Sequence, residues 1–166
     1  MRIIPLSSEA RLTHNATHKV IVTYADVVAL GASATGTLAL LPASGTFPAG
    51  TAVAYRGFNL TTAFDFSDAS INSLAITVGD GGSANRFQAS TQIAVDGTEI
   101  FYGVPAALSQ PYPYEAADTV DCFFTAAGGG SPTLAEATSG QIEFYFHIQT
   151  QDELELAVGG GGSVTA

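Results

Sequence analysis

Gln141-Ile142-Glu143-Phe144-Tyr145-Phe146-His147-Ile148-Gln149 alternates without a break. Ile142, Phe144, Phe146 and Ile148 fall on one side of an extended chain, and Glu143, Tyr145, His147 and Gln149 on the other. Successive side chains of a strand point to opposite faces, so this stretch predicts a strand with one face in a core and the other wet or against a partner. The same reading extends outward. Val20, Val22 and Tyr24 alternate with Lys19, Ile21 and Thr23, a β-branched run suited to a pleated surface. Further strands are expected at Thr35 to Leu41, Ala52 to Phe64, Ser70 to Val78, Arg86 to Val95, Thr98 to Tyr102, Thr119 to Thr125 and Glu153 to Val158.

Turn chemistry fills the gaps: Pro42 to Gly50, Val78 to Asn85, Asp96-Gly97, Pro105 to Pro113 and Gly128 to Pro132. No segment carries a long amphipathic helical stripe. The one helical signal is Thr133 to Glu136, which has capping-box spacing and predicts one or two turns before Gly140. Residues 1–17 hold Pro5, Ser7, Ser8, Asn15 and Thr17 without a sustained period and read as an extended N-terminal arm. Residues 159–166 are Gly-rich and read as a flexible C-terminal tail. The expectation is therefore all-β: a single antiparallel β-sandwich over residues 18–158, jelly-roll-like, with a closed barrel as the alternative.

A chain of 166 residues is the size of one ordinary domain, large enough to bury one real core. It is 46% hydrophobic and only 12% charged, which sets it apart from charge-rich disordered chains. The net charge of -10 is uneven, because the five basic residues all lie at or before Arg86 and ten of the fifteen acidic ones follow it. Such a field repels phosphate backbones and anionic lipid, so neither nucleic acid nor membrane is an expected partner. The opening Met-Arg-Ile-Ile-Pro-Leu-Ser-Ser-Glu has too short an apolar run for a signal peptide, and Val27 to Leu41 is broken by Gly, Ser and Thr. A soluble protein made in the cytoplasm is expected.

Each candidate for chemistry has a plainer reading. Val78-Gly79-Asp80-Gly81-Gly82-Ser83-Ala84-Asn85 is glycine-rich, but no helix follows and no Lys-Ser or Lys-Thr pair closes it, so it reads as a strand-connecting turn and not a phosphate cradle. Asp80 with Asp65 or Asp68 lacks the spacing of a calcium loop, and Asp96-Gly97 is a hairpin signal. His14 and His18 are four apart in a sequence that does not read as helical, and His147 stands alone, so no metal is expected. Cys122 has Phe neighbours and reads as a buried structural thiol. The pairs Asp118 with Asp121 and Glu153 with Glu155 read as a solvated acidic face, and the acceptor triplets at Asn15 and Asn59 as chance. No catalytic residue, cofactor or enzyme activity is expected. Pro111-Tyr112-Pro113-Tyr114 has two readings: rigid aromatics that anchor a partner, or a loop folded back on its own sandwich.

Taken together, the low-Lys, Ala/Gly/Thr-rich β composition resembles that of small structural proteins of tailed bacteriophages, especially capsid decoration or cement proteins. Leu74-Ala75-Ile76-Thr77-Val78 running into Gly79-Asp80-Gly81-Gly82-Ser83, then Arg86-Phe87-Gln88-Ala89-Ser90-Thr91, carries part of the likeness. Asp118-Thr119-Val120-Asp121-Cys122-Phe123-Phe124-Thr125, Gly128-Gly129-Gly130 and Ser139-Gly140-Gln141-Ile142-Glu143-Phe144-Tyr145-Phe146 carry the rest, so that it covers residues 18–150. The resemblance implies a β-sandwich, often a homotrimer, seated on the outer surface of the virion and binding the major capsid protein where capsomers meet. On that reading Arg2, Ile3, Ile4, Leu6, Arg11 and Leu12 of the arm, with Tyr112 and Tyr114, are the candidate contact residues. The competing reading is a receptor- or glycan-binding head of a tail fibre or tail spike. The chain has no Trp and no fibrous repeat, though Tyr102, Tyr112 and Tyr114 would supply a stacking platform.

Overall fold

The computed structural model describes residues 1–42, 44–93, 102–103 and 111–149, with the backbone alone described at 12–13 and 102–103. Among the described residues ten strands lie in two antiparallel sheets. They are β1 (Arg2–Pro5), β2 (His18–Thr23), β3 (Thr35–Leu41), β4 (Ala52–Phe66), β5 (Ile71–Asp80), β6 (Ser83–Ile93), β7 (Tyr102–Gly103), β8 (Tyr112–Pro113), β9 (Val120–Gly128) and β10 (Ala137–Gln149). One sheet has the order β1-β2-β10-β4-β7, with β8 also on β4, and is called sheet A; the other, sheet B, has the order β3-β9-β5-β6. From β2 onward the chain changes sheet at nearly every connection, so neighbours in a sheet are mostly remote in sequence and the core is closed by long-range pairing.

The alternation seen in the sequence explains which faces meet. Val20, Val22, Tyr55, Phe58, Leu60, Ile142, Phe144 and Phe146 of sheet A are buried together with Leu40, Leu74, Ile76, Val78, Cys122 and Phe124 of sheet B. Phe146 lies 5.4 Å from Tyr55, and Phe144 lies 6.4 Å from Phe58, both pairs tilted as aromatic quadrupoles prefer. At the start of β10 the ladder is irregular on either side of Ser139. There Gly140 has φ 131°, and a Cβ on it would stand 2.3 Å from the Phe64 ring, so only glycine lets the strand bend over that side chain.

The N-terminal segment departs from the expected arm. Arg2–Pro5 pairs antiparallel with β2 over Arg2↔Ile21, Ile3↔Val20, Ile4↔Lys19 and Pro5↔His18. A helix, α1 (Ser8–His14), then joins β1 to β2. Local chemistry accounts for the helix. Ser7 accepts from the Ala10 N–H at 3.3 Å, Glu9 lies in the first turn, Arg11 and His14 lie in the last, and Asn15 ends it in the left-handed region at φ 49°. The segment is held because β2 would otherwise present an unpaired edge, and the Leu6 N–H donating to the Thr17 carbonyl at 2.9 Å closes the connection.

A second short helix, α2 (Tyr24–Val28), follows β2 directly. Asp26 accepts from the backbone N–H and the hydroxyl of Thr23 at 2.8 and 2.9 Å, and from the Met1 amine. Burial raises the Asp26 pKa, but the Met1 ammonium and the Thr23 donors outweigh it and leave the carboxyl below its ordinary value. The turn expected near Thr133 is a single 3-10 turn, Leu134–Glu136. The strand expected at Glu153 to Val158, the sandwich boundary at 158 and the tail 159–166 all lie outside the described residues, as does most of Thr98 to Tyr102.

Candidate interaction surfaces

The outer side of sheet A is layered rather than open. Glu143 and Tyr145 point away from the core, yet they are only 8% and 6% exposed. His14 of α1 stacks on Tyr145 with ring centroids 4.2 Å apart, the Tyr145 hydroxyl donates to Glu143 at 2.7 Å, and Lys19 Nζ reaches Glu143 at 2.9 Å. The polar face of the deciding strand is thus covered within the chain over those residues. His18 Nδ1 faces the Thr17 hydroxyl at 2.9 Å. Of the candidate contact residues, Arg2 is exposed and has no side-chain partner among the described residues. Ile3 packs against the core margin, Ile4 and Leu6 are half-buried, and the exposed Arg11 donates through Nε to the Leu6 carbonyl at 3.0 Å. The Leu12 side chain lies outside the described residues.

The tyrosine loop folds back on its own sandwich. Tyr114 is 4% exposed, packs on Phe47 at 6.0 Å and donates from its hydroxyl to the Thr119 carbonyl at 3.4 Å. Burial first, then Asp80 and Asp118, push its phenol far above the ordinary value. Tyr112 stands edge-on to Tyr114 at 5.3 Å and 88°, and the Arg86 guanidinium lies 4.0 Å above its ring. Two perpendicular rings, one buried and one capped by a cation, do not make a sugar-stacking platform, and Tyr114 is a core wall rather than an exposed anchor.

Arg86 also explains the glycine-rich stretch. Asp80, buried at the end of β5, ion-pairs with Arg86 Nε through Oδ2. Its Oδ1 accepts from the N–H of Gly82 and Ser83 at 3.0 and 2.8 Å. The ladder runs on to Asp80↔Ser83, so only Gly81 and Gly82 turn, where a loop over Val78 to Asn85 was expected. The carboxylate closes a hairpin from within. Asp65 and Asp68 accept from Phe66 and Ser70 before β5 begins, so the length of β5, about 30 Å at strand rise, separates them from Asp80. Among the described residues no group of three His, Cys, Asp or Glu could hold a metal ion. Cys122 is buried in the core, and burial pushes its thiol well above the ordinary pKa.

Sheet B turns a different face outward. Across it run the register rows Thr37–Phe123–Thr77 and Thr35–Thr125–Ala75, with Ala39–Asp121–Gly79 beyond. Thr35, Thr37, Ala39 and Thr125 are exposed and Phe123 is half-buried. The charge in these rows is Asp121, whose pKa is raised by burial and by the neighbouring Asp118 and Asp80, against a hydrogen bond from the Thr119 hydroxyl at 2.9 Å. A carboxyl with a raised folded pKa binds its proton more readily folded than unfolded, so its charge weakens the fold above that pKa and the penalty fades as pH falls through it. Asp121→Asn is therefore expected to raise the urea midpoint at pH 7, with the gain shrinking toward pH 4. A gain that grows on acidification would contradict this placement.

Two sheets packed face to face through alternating apolar positions define the chain as an antiparallel β-sandwich, and among the described residues its ion pairs between side chains serve one strand pair and one turn. Comparison with protein-family models gives no match, and comparison with curated proteins gives none either. Among solved structures, a chain of the "Cyanophage Pam1 capsid asymmetric unit" is similar over 77% of this chain and 80% of that chain, with 18% identity and a TM-score of 0.44. Among the described residues no helix is long and apolar enough to cross a membrane.

Proposed function

We propose that this chain is a structural protein of a tailed-phage virion that decorates the capsid, docking on the outer surface where capsomers meet, and that its role is adhesion rather than catalysis. The observation that carries this reading is the outer face of sheet B, where exposed Thr35, Thr37, Ala39 and Thr125 surround the half-buried Phe123 and are backed by an aromatic core. A face of short side chains lets another protein's surface approach closely, and its threonines lose little rotamer freedom on contact. The strand order supports reading the sandwich as a jelly roll, with β2-β10-β4-β7 facing β3-β9-β5-β6. The sequence resemblance to decoration proteins supplies the partner, the major capsid protein, and the homotrimeric state.

The test is co-sedimentation with expanded phage capsids, followed by heating. Binding at a fixed ratio and a higher rupture temperature are expected. Thr37→Lys with Thr125→Lys is expected to weaken attachment by tenfold or more while leaving the unfolding midpoint of the free protein unchanged, because both positions are exposed. Absence of capsid binding, or labelling confined to tail tips, overturns the reading.

A further inference from the structure

Strand β1 ends sheet A, and among the described residues no strand lies on its far side. Such an edge is ordinarily blunted, since its free N–H and C=O groups invite another strand. Here Pro5 blunts one end, while Ile3 and Ile4 stay only half-buried and Arg2 carries an exposed charge without a partner among the described residues. The two faces of β1 differ. Ile3 looks toward the core beside Val20, while Arg2 and the half-buried Ile4 look outward beside Ile21 and Lys19. A strand that completed this edge would need apolar residues on the core face and an acid near Arg2 on the other.

The chain contains that pattern. Glu153-Leu154-Glu155-Leu156-Ala157-Val158 lies outside the described residues and begins four positions after the end of β10 at Gln149. We propose that the open edge of β1 is an interface between copies of this chain, taking up residues 153–158 of a second copy as an added strand. Glu153 and Glu155 would then share the Arg2 face, and Leu154 and Leu156 would extend the core beside Ile3. Main-chain pairing supplies the contact, and the alternation sets which face is which.

Reach favours a second copy over the chain's own edge. From β10 to a position beyond β1 is three strand spacings, about 14 Å. The four steps from Gln149 to Glu153 span at most about 14 Å when fully stretched. The link therefore has no slack for reaching the chain's own edge, whereas a second copy is under no such limit.

Sedimentation equilibrium of the full chain, without capsids, tests this apart from capsid binding: a monomeric full chain removes the proposed homotrimer as well, whereas association that survives the deletion leaves the homotrimer standing and overturns only this interface. The full chain is expected to associate, and deletion of residues 150–166 to leave a monomer with the same unfolding midpoint. Arg2→Glu is expected to weaken association at least tenfold, and adding Glu153→Arg and Glu155→Arg in the same chain to restore it. The charge variants decide the matter if the deletion fails to fold. A monomeric full chain, association that survives the deletion or is unmoved by Arg2→Glu, or a deletion that lowers the midpoint of a monomer would overturn the proposal.

Discussion

Phe146→Ala is expected to remove about 4 kcal/mol of folding stability, the usual range for emptying a buried aromatic site being about 3–5 kcal/mol. Phe146 is fully buried at the middle of sheet A, with β2 on one side through His18 and β4 on the other through Tyr55. Its ring meets the equally buried Tyr55 ring at 5.4 Å, so truncation leaves a void between two sheets that are held apart by their other aromatics and cannot collapse into it. Against a total stability of roughly 5–15 kcal/mol for an ordinary domain, this is a large fraction. Phe146→Leu, which keeps most of the volume, is expected to cost about 1.5 kcal/mol or less. Urea unfolding followed by tyrosine fluorescence measures both. A loss below about 1 kcal/mol for the alanine variant would mean that this side of β10 does not face the core.

The strand that decides the fold was readable because its signal is local and periodic: Ile142, Phe144 and Phe146 needed only their own spacing. The same holds for β3, which runs from Thr35 to Leu41 as the alternation predicts, and for the turn at Leu134–Glu136 after its Thr133 signal. What was not readable depends on residues far apart in the chain. Helix α1 has seven residues, too few to be stable alone, and it owes its place to His14 stacking on a tyrosine 131 positions away. The outer face of β10, expected to be wet or against a partner, is instead covered within the chain around Glu143, where Lys19, 124 positions away, pairs with it. Tyr114 looked like an anchor because Pro and Tyr in a loop are equally at home on a surface and against a core, and only Phe47 and Thr119 decide between them. Composition also misled at Gly79 and Ala84, which look like loop residues but flank the pair that closes the β5–β6 ladder, Asp80↔Ser83. The buried carboxylate of Asp80 is what draws the turn that tight.

Removing that carboxylate gives the second large effect. Asp80→Ala is expected to cost about 3 kcal/mol, the low end of the range for breaking a buried ion pair, because the Arg86 side chain is 24% exposed and keeps some of its solvation. Three interactions are lost at once: the pair with Arg86 and the two hydrogen bonds that Oδ1 accepts from the Gly82 and Ser83 N–H groups. Asp80→Asn retains a side-chain oxygen for the turn and gives up the charge, so it should cost about half as much. Arg86→Ala leaves a carboxylate buried without its cation and strips the cover from Tyr112, and should fall between the two. If Asp80 and Arg86 act as one unit, the double alanine variant costs clearly less than the sum of the single ones, with a coupling of about 1 kcal/mol or more. Additive losses would mean that the turn hydrogen bonds alone make Asp80 costly to replace, and that the guanidinium is held over Tyr112 by the ring.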